Sequence, residues 1–589
     1  MRRFFVALAL SFCLVLLITA PYFSNGRNTT LRGAVVYAAS RDSYSLSAPV
    51  RLLQAPIVDL ESGTLSMPPN RTGLARGSDV LAMLITGKSA RMTLENATFT
   101  TDFSASEAAF DTTTPGGVAP LVAALKTLQF DALGVRDSAI RIKTADGGVL
   151  LLDNVTADVT AKPNGFFRAV GSFVFRGEKV GFDTTLRPGP DAQGGTRAIS
   201  ASVVSELLNA KFDGTIVPGE SLRVLSPLAE VTIPNLRRAA RWLGADWRPG
   251  SGFENFAIKG QLEWVNRAIA FQKASVQLDD NAATGTLSVS FAGARPAIDG
   301  TLGLKTFDLT KYMSGPLPAE PAADAPPTES LLATVRKIAG LEFPLIQAVD
   351  ADLRISSDSV VVPRLTIGRS AATISLKGGK LLADIAELEI DEGTHGGGQL
   401  RIDASGVSPT YDIRGKLEGL DVGIAAQAVF GHPTIQGHGD VTVEVTAAGG
   451  TGDALLRSLG GKLSVNMAEG GLLGIDVNKL VTAVNAQQGT AIWQEASAGA
   501  IAVDKLDARF AVVEGKLRTE TAEALSGGRK MTAEGAIDLP ARAIDVEFAI
   551  GDRAQPDGTP SPSRGEVIDM HGPWTEPDVK AGGSPQGPR

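Results

Sequence analysis

The chain is nearly free of cysteine, because Cys13 is the only one in 589 residues and it lies inside an apolar run close to the N-terminus. The remaining sequence therefore offers no disulfide framework and no thiol chemistry. No lipobox surrounds Cys13, so we interpret it as a buried residue of a membrane segment rather than as a lipidation site.

Histidine is almost as scarce, with four residues in the whole sequence: His395, His432, His438 and His571. None stands in a His-Glu-x-x-His motif or in a Cys/His cluster, so the spacing of a zinc site is missing. Only His432 and His438 lie near one another. A loop metal site there is the alternative to the ordinary use of such residues in turns.

Aromatic residues and positive charge are also limited. Five Trp, five Tyr and a net charge of −8 provide neither a stacking platform nor a basic patch, so we do not expect a nucleic-acid partner. The glycines at 449, 450 and 452 lack the third glycine of a dinucleotide fingerprint and the Gly-Lys-Ser/Thr of a P-loop. Asp279 and Asp280 could form a glycosidase couple, but turn chemistry is the commoner use. We therefore expect no cofactor, no metal and no catalytic residues.

The N-terminus holds one long apolar run after Arg2 and Arg3. Residues 4–23 as a helix would span about 30 Å, which is enough to cross a bilayer, and the two arginines predict a cytoplasmic start. A cleavable signal peptide is the alternative, although a cut after Ala20 would place Pro21 beside the scissile bond. We predict a retained single-pass anchor in the inner membrane, with the bulk of the chain in the periplasm. The anchor residues that we name are Phe4, Leu10, Leu14, Leu17 and Ala20.

The rest of the chain has the pattern of short strands separated by glycine or Asx turns. Residues 139–143 alternate between apolar and polar side chains, turn at 146–148 and continue as residues 149–152. Sixty-five glycines agree with many turns. The pattern predicts a mainly β fold of elongated antiparallel meander sheets, curled into a groove or a sandwich.

A few short helices are expected between the strands. Asp476 is a suitable N-cap before Val477, Leu480, Val481 and Val484, which share one helical face. A second helix is predicted after Thr328 and a third over about residues 234–243. The arginines of the third helix, at 237, 238 and 241, could contact anionic lipid headgroups, with a solvated helix face as the alternative.

Composition also divides the chain, which is too long for one core. We predict an anchor at 1–23, a β-rich region at 24–313, a Pro/Ala-rich linker at 314–328, a second β-rich region at 329–550 and a largely flexible segment at 551–589. Within that last segment, residues 565–579 are expected to be ordered.

Several stretches resemble one protein family. In the first half they are residues 253–264 (FENFAIKGQLEW), 276–291, 294–304 and 307–313. In the second half they are residues 417–427, 453–480, 535–548 and 567–579, with GGLLGID at 470–476 and GPW at 572–574 as the most specific motifs. Together and in this order they resemble the AsmA family over about residues 131–579.

This resemblance implies an inner-membrane protein that serves outer-membrane biogenesis and is similar to bridge-like lipid-transfer proteins, whose sheets form an apolar groove. Phospholipids are then the expected ligands, and envelope proteins are expected as further partners. From the alternation with Arg141 and Lys143, we name Ile140 and Ile142 as candidate groove-lining residues. The alternatives are a scaffold for outer-membrane proteins that acts by protein contacts, and a carbohydrate-active enzyme, for which no residue constellation is visible.

Overall fold

The structure is a computed structural model of the chain. It describes residues 35–38, 43–46, 50–54, 57–66, 88–102, 129–143, 148–162, 164–189, 196–217, 223–244, 252–313, 347, 349–362, 365–390, 393–406, 408–423, 426, 435–468, 470–485, 493, 499–552 and 566–582.

Two units divide the chain. The first comprises residues 1–249 and 253–300, and the second comprises residues 250–252 and 301–589. The division falls within one strand, Ala297–Asp308. The Pro/Ala-rich segment at 314–328 lies outside the described residues.

The first unit is built from strands and one short helix. Its elements are β1 (Val35–Ala38), β2 (Ser43–Leu46), β3 (Val50–Gln54), β4 (Ile57–Ser66), β5 (Lys88–Asp102), β6 (Gln129–Lys143), β7 (Val149–Ala161), β8 (Phe167–Phe175), β9 (Glu178–Pro188), β10 (Arg197–Val204), β11 (Asn209–Val217), β12 (Arg223–Ile233), α1 (Leu236–Trp242), β13 (Phe256–Val265), β14 (Ala268–Leu278), β15 (Asn281–Ser290) and the start of β16 (Ala297–Asp308).

From β6 to β15, each strand of this unit pairs antiparallel with the next along the chain. The exception to the antiparallel pattern lies just before them, where β5 and β6 run parallel. Short hairpin turns explain the meander, since Arg176 and Gly177 both adopt the positive φ that a tight turn between β8 and β9 requires.

The core of the first unit covers the inward face of β5 to β12 and the buried side of α1. Asn235 caps α1 by accepting a hydrogen bond from the Arg238 backbone N–H at 2.8 Å. Trp242 donates its indole N–H to the Phe175 carbonyl at 2.8 Å and packs edge-on against the Phe175 ring, with 5.5 Å between centroids. The helix thus closes this core over β8.

The second unit contains the remaining elements. They are the end of β16, α2 (Thr310–Met313), β17 (Asp350–Val362), β18 (Leu365–Ile367), β19 (Ser370–Lys377), β20 (Lys380–Glu389), β21 (His395–Asp403), β22 (Thr410–Asp421), β23 (Ile435–Gln436), β24 (His438–Ala448), α3 (Gly452–Ser458), β25 (Gly460–Met467), β26 (Gly471–Leu473), α4 (Val477–Asn485), β27 (Ile501–Val503), β28 (Lys505–Val513), β29 (Lys516–Ser526), β30 (Arg529–Asp538), β31 (Ala543–Asp552), β32 (Glu566–Pro573) and β33 (Asp578–Ala581).

The main sheet of this unit places β17, β19, β20, β21, β22, β24, β25 and β28 to β33 side by side, all antiparallel. Strands β23, β26 and β27 form a small separate sheet. One apolar cluster contains Leu480 and Val484 of α4, and another contains Leu456 of α3 with Trp574.

The predicted fold class is confirmed as mainly β and largely antiparallel, with few short helices. Asp476 caps α4 by accepting from the Lys479 N–H at 3.1 Å, and α1 lies where the third helix was predicted. Strands β32 and β33 lie in and beside the stretch 565–579, for which order was expected. The helix predicted after Thr328 and the N-terminal apolar run lie outside the described residues. Among the helices that the structure does describe, none has the length and apolar character needed to span a bilayer.

Candidate apolar binding surface

One face of the sheet in the second unit is apolar across six neighbouring strands. We define this apolar face by its cross-strand rows on β17, β19, β20, β21, β22 and β24, in which apolar residues pair with apolar residues. Its members are Leu353, Ile355, Ala372, Ile374, Ala383, Ile385, Gly398, Leu400, Ile413, Gly415, Val443 and Val445. Six strands at about 4.8 Å spacing give this face a width of roughly 25 Å.

Other parts of the described structure cover the side chains of the apolar face only in part, and Val443 packs against the apolar cluster that contains Leu480 and Val484 of α4. Eleven of the twelve members are half-buried, and Ile413 is exposed, with 44% of its surface open to solvent. A large aliphatic side chain in a packed core is almost entirely removed from water, so this degree of exposure is unusual for a whole row of them. An exposed apolar patch of this kind is a candidate binding surface.

The opposite face of the same strands is polar. Arg354, Asp384, Arg414 and Glu444 project there and are exposed. Arg414 forms an ion pair with Asp412, with 3.1 Å between its Nε and a carboxylate oxygen. Because side chains alternate along a strand, charge is confined to one face and the apolar face carries none.

Both ends of the apolar face are better protected than its middle. At one end Leu420 and Val441 are buried in the cluster that also contains α4 and Trp493. At the other end Leu376 and Ile402 are 7% and 6% exposed. Tyr411 lies in this second row, where burial raises the pKa of its phenol. The open part is therefore the middle of the face, where no titratable group is present.

Ile140 and Ile142, the groove-lining candidates from the sequence, lie in the first unit. They alternate with exposed Arg141 and Lys143 as predicted, and they pair across the strand with Leu152 and Leu150. Their exposed fractions are 0% and 2%, and both belong to the packed core. In this structure other side chains cover them, so that their contact with lipid stays a prediction.

The other residues considered in the sequence have local roles. The Asp279 carboxylate accepts hydrogen bonds from the backbone N–H groups of Phe253, Glu254 and Asn255, at 2.7 to 3.1 Å. The acidic residue at position 279 therefore holds the backbone of residues 253–255 in place. The exposed His438 begins β24, whereas His432 lies outside the described residues, as do all the named anchor residues.

The apolar face was not singled out from the sequence, although its signal is present. Leu353-Arg354-Ile355 and Ile413-Arg414-Gly415 show the same alternation as Ile140-Arg141-Ile142. Alternation identifies the two faces of a strand, but it does not tell whether the apolar one is covered.

Comparison with known proteins gives one match. No curated protein and no solved structure matches the chain. The model of the AsmA family matches residues 269–522, a range that contains β17 to β28 and hence the whole apolar face. The resemblance drawn from the sequence motifs is thereby confirmed, and this part of the chain is an AsmA-family region.

Proposed function

We propose that this chain is a cell-envelope protein of outer-membrane biogenesis that binds phospholipid acyl chains on its apolar face and helps to move them between membranes. The observation that carries the proposal is the set of partly exposed apolar rows from Leu353 to Val445, which lies within the AsmA-family region.

The energetics of the apolar face favour an acyl chain as its ligand. Burying apolar surface stabilises a complex by roughly 25 cal/mol per Å², or about 0.8 kcal/mol for each methylene group. Aliphatic side chains such as Ile374, Leu400 and Ile413 give non-directional contacts, which suit a flexible hydrocarbon better than a ligand that needs hydrogen bonds.

The absence of charge on the apolar face supports movement along it. A charged side chain among these rows would have to lose its hydration when an acyl chain passed over it, at a cost of several kcal/mol. The cross-strand rows instead present a surface that is apolar throughout, so an acyl chain should bind about equally well at neighbouring positions.

The proposal includes a location and a mode of action. The apolar run at residues 4–23 anchors the chain in the inner membrane, and the β-rich units lie in the periplasm. The protein acts by binding rather than by catalysis, and its partners are membrane phospholipids together with envelope proteins that receive them.

Two variants that introduce the same charge on opposite faces test the proposal. In Ile413→Asp the charge enters the apolar face on β22, and in Thr373→Asp it enters the polar face of the same sheet on β19, where Thr373 is exposed. Both sites reach solvent, so each substitution should change the free energy of unfolding by less than about 1 kcal/mol. We expect native mass spectrometry of detergent-extracted protein to find phospholipid on the wild type and on Thr373→Asp, and much less on Ile413→Asp.

A second readout follows function in cells. Ile413→Asp should raise detergent sensitivity at an unchanged protein level on a quantitative blot, while Thr373→Asp should not. If the wild type carries no phospholipid, or if Ile413→Asp retains it in full, the lipid proposal is wrong. An assembly factor that acts by protein contacts would then be the better account.

A further inference from the structure

The polar side of the sheet in the second unit holds a cleft of about 750 Å³, within the range of small-molecule sites. It is lined by β19 to β22, β24 and Ser458 at the end of α3. Ser375, Arg401, Asp412 and Thr446 lie in one cross-strand row of its floor, in which Leu382 separates the first two. The cleft is therefore separate from the apolar face, which lies on the other side of these strands.

The wall at the β24 side is held in place by Ser458. Its hydroxyl accepts a hydrogen bond from the Ala448 N–H at 2.8 Å and donates to the Ala448 carbonyl at 2.7 Å. These two hydrogen bonds connect the end of α3 to the end of β24, so that Ser458 and Ala448 together form this wall of the cleft.

The carboxylates of the cleft are already neutralised by neighbours. Asp403 pairs with Lys380 at 2.9 Å, and Asp412 pairs with Arg414. The Ser405 hydroxyl and Lys380 lower the pKa of Asp403 to about 2, so this carboxylate stays charged at neutral pH. Each of these two carboxylates therefore already has one cationic partner.

Two cations of the cleft are left without such a partner. Among the described residues, no carboxylate lies within ion-pair distance of Lys377 or Arg401, although both line the cleft. Lys377 also lies directly across the hairpin from Lys380. Because Asp403 already offsets the charge of Lys380, Lys377 is the cation of this hairpin that an anion could contact.

The hydroxyl groups of the lining complement these charges. Ser375, Thr410 and Thr446 offer donors and acceptors on the same surface. The cations can bind the oxygens of a phosphate, and the neighbouring hydroxyl groups can form hydrogen bonds with hydroxyl groups of the ligand. A phosphate ester of a hydroxylated carbon skeleton carries both kinds of group.

We infer that this cleft binds a phosphate ester of a polyol, either as a soluble metabolite or as the headgroup of a phospholipid, with Lys377 and Arg401 contacting the phosphate. The inference does not depend on the proposed function, because a separate surface carries it.

The test uses the full chain in a phosphate-free maltoside detergent, titrated with sn-glycerol 3-phosphate and followed by ³¹P NMR. The double variant Lys377→Gln/Arg401→Gln should weaken binding at least about tenfold, since a charge-assisted hydrogen bond contributes enough for such a factor. Arg354→Gln removes an exposed cation of the same polar face outside the cleft and should bind as the wild type does. Arg401→Lys, which keeps the charge, should retain most of the affinity.

A parallel titration with dihexanoyl phosphatidylglycerol separates the two sources. Loss of affinity in the double variant for the lipid alone identifies a headgroup, and loss for glycerol 3-phosphate identifies a soluble ester. Ile413→Asp should leave glycerol 3-phosphate binding unchanged, which keeps this test separate from that of the apolar face. The inference is overturned if the wild type binds neither probe, or if the double variant, with an unchanged melting temperature, binds both as tightly as the wild type.

Discussion

Gly398 and Gly415 face each other across β21 and β22 in the middle of the apolar face. A Cβ atom on Gly398 would lie 2.4 Å from the carbonyl oxygen of Arg414 and 3.0 Å from the Cα of Gly415. The backbone of β22 thus occupies the place where a side chain would begin. Glycine inside a strand commonly marks such a close approach or a bend.

Gly398→Val should therefore destabilise the second unit. The new side chain has no space unless β22 moves, and we expect a loss of about 1–3 kcal/mol in the free energy of unfolding. Gly450→Ala is the control, because nothing lies within 4 Å of a Cβ there. Chemical denaturation measures both, and equal stability of the two variants would contradict the close approach.

Trp242 is expected to determine the stability of the first core. Trp242→Ala removes a ring that is 9% exposed and should cost about 3–5 kcal/mol. Trp242→Phe keeps most of the apolar contact but leaves the Phe175 carbonyl without its indole donor, so a smaller loss of about 1–3 kcal/mol is expected. Thermal unfolding distinguishes the two, and the order Ala below Phe below wild type is the required result.

Ile142→Asp should behave differently from Ile413→Asp. Ile142 is 2% exposed, so aspartate there would bury an unpaired charge and destabilise the protein by more than about 4 kcal/mol. Lys143→Asp, on the exposed side of the same strand, should be mild. Quantitative blotting should show loss of the Ile142→Asp protein in step with loss of function. A normal protein level with impaired outer-membrane integrity would instead support a lipid conduit at Ile142.

The anchor is tested by charges in the apolar run. Each of Leu14→Asp and Leu17→Asp should cost about 2.5–3.5 kcal/mol on insertion, so the double variant should leave the membrane fraction. N-terminal sequencing of the mature wild-type protein is the second measurement. A start at or after Pro21 would show that the run is a cleaved signal.

The stability of the fold at acid pH should depend on the protonation of Asp403. Its pKa is about 2, below the usual 3.8, because the Ser405 hydroxyl and then Lys380 stabilise the charged form. A depressed pKa means that the carboxylate stabilises the fold above pH 3.8, and that this contribution is lost as the pH falls towards 2. Ser405→Ala should raise the pKa towards 3.8, which ¹³C NMR of labelled aspartate would detect. An unchanged pKa would show that the hydroxyl has no such effect.

Much of the fold is predictable because its signals are local. Asp476 and Asn235 cap helices through contacts with residues three positions away, and the alternation around Arg141 sets which side chains share a face. The order of motifs from residue 253 onwards likewise pointed to the family that matches residues 269–522.

The location of the candidate sites could not be read in this way. Lys377 and Arg401 are far apart in the sequence, and only the register of β19, β20 and β21 brings them to one cleft. Nothing in either local pattern predicts that a partner carboxylate is missing.

The sequence by itself determined that this chain forms antiparallel meanders with one apolar face per strand, since that follows from the period of two along each strand. Only the tertiary structure decided that Ile142 is buried while Ile413 is exposed. The two isoleucines lie in the same kind of alternating segment. Their burial differs because it depends on what the rest of the chain places over each face, which no local pattern records.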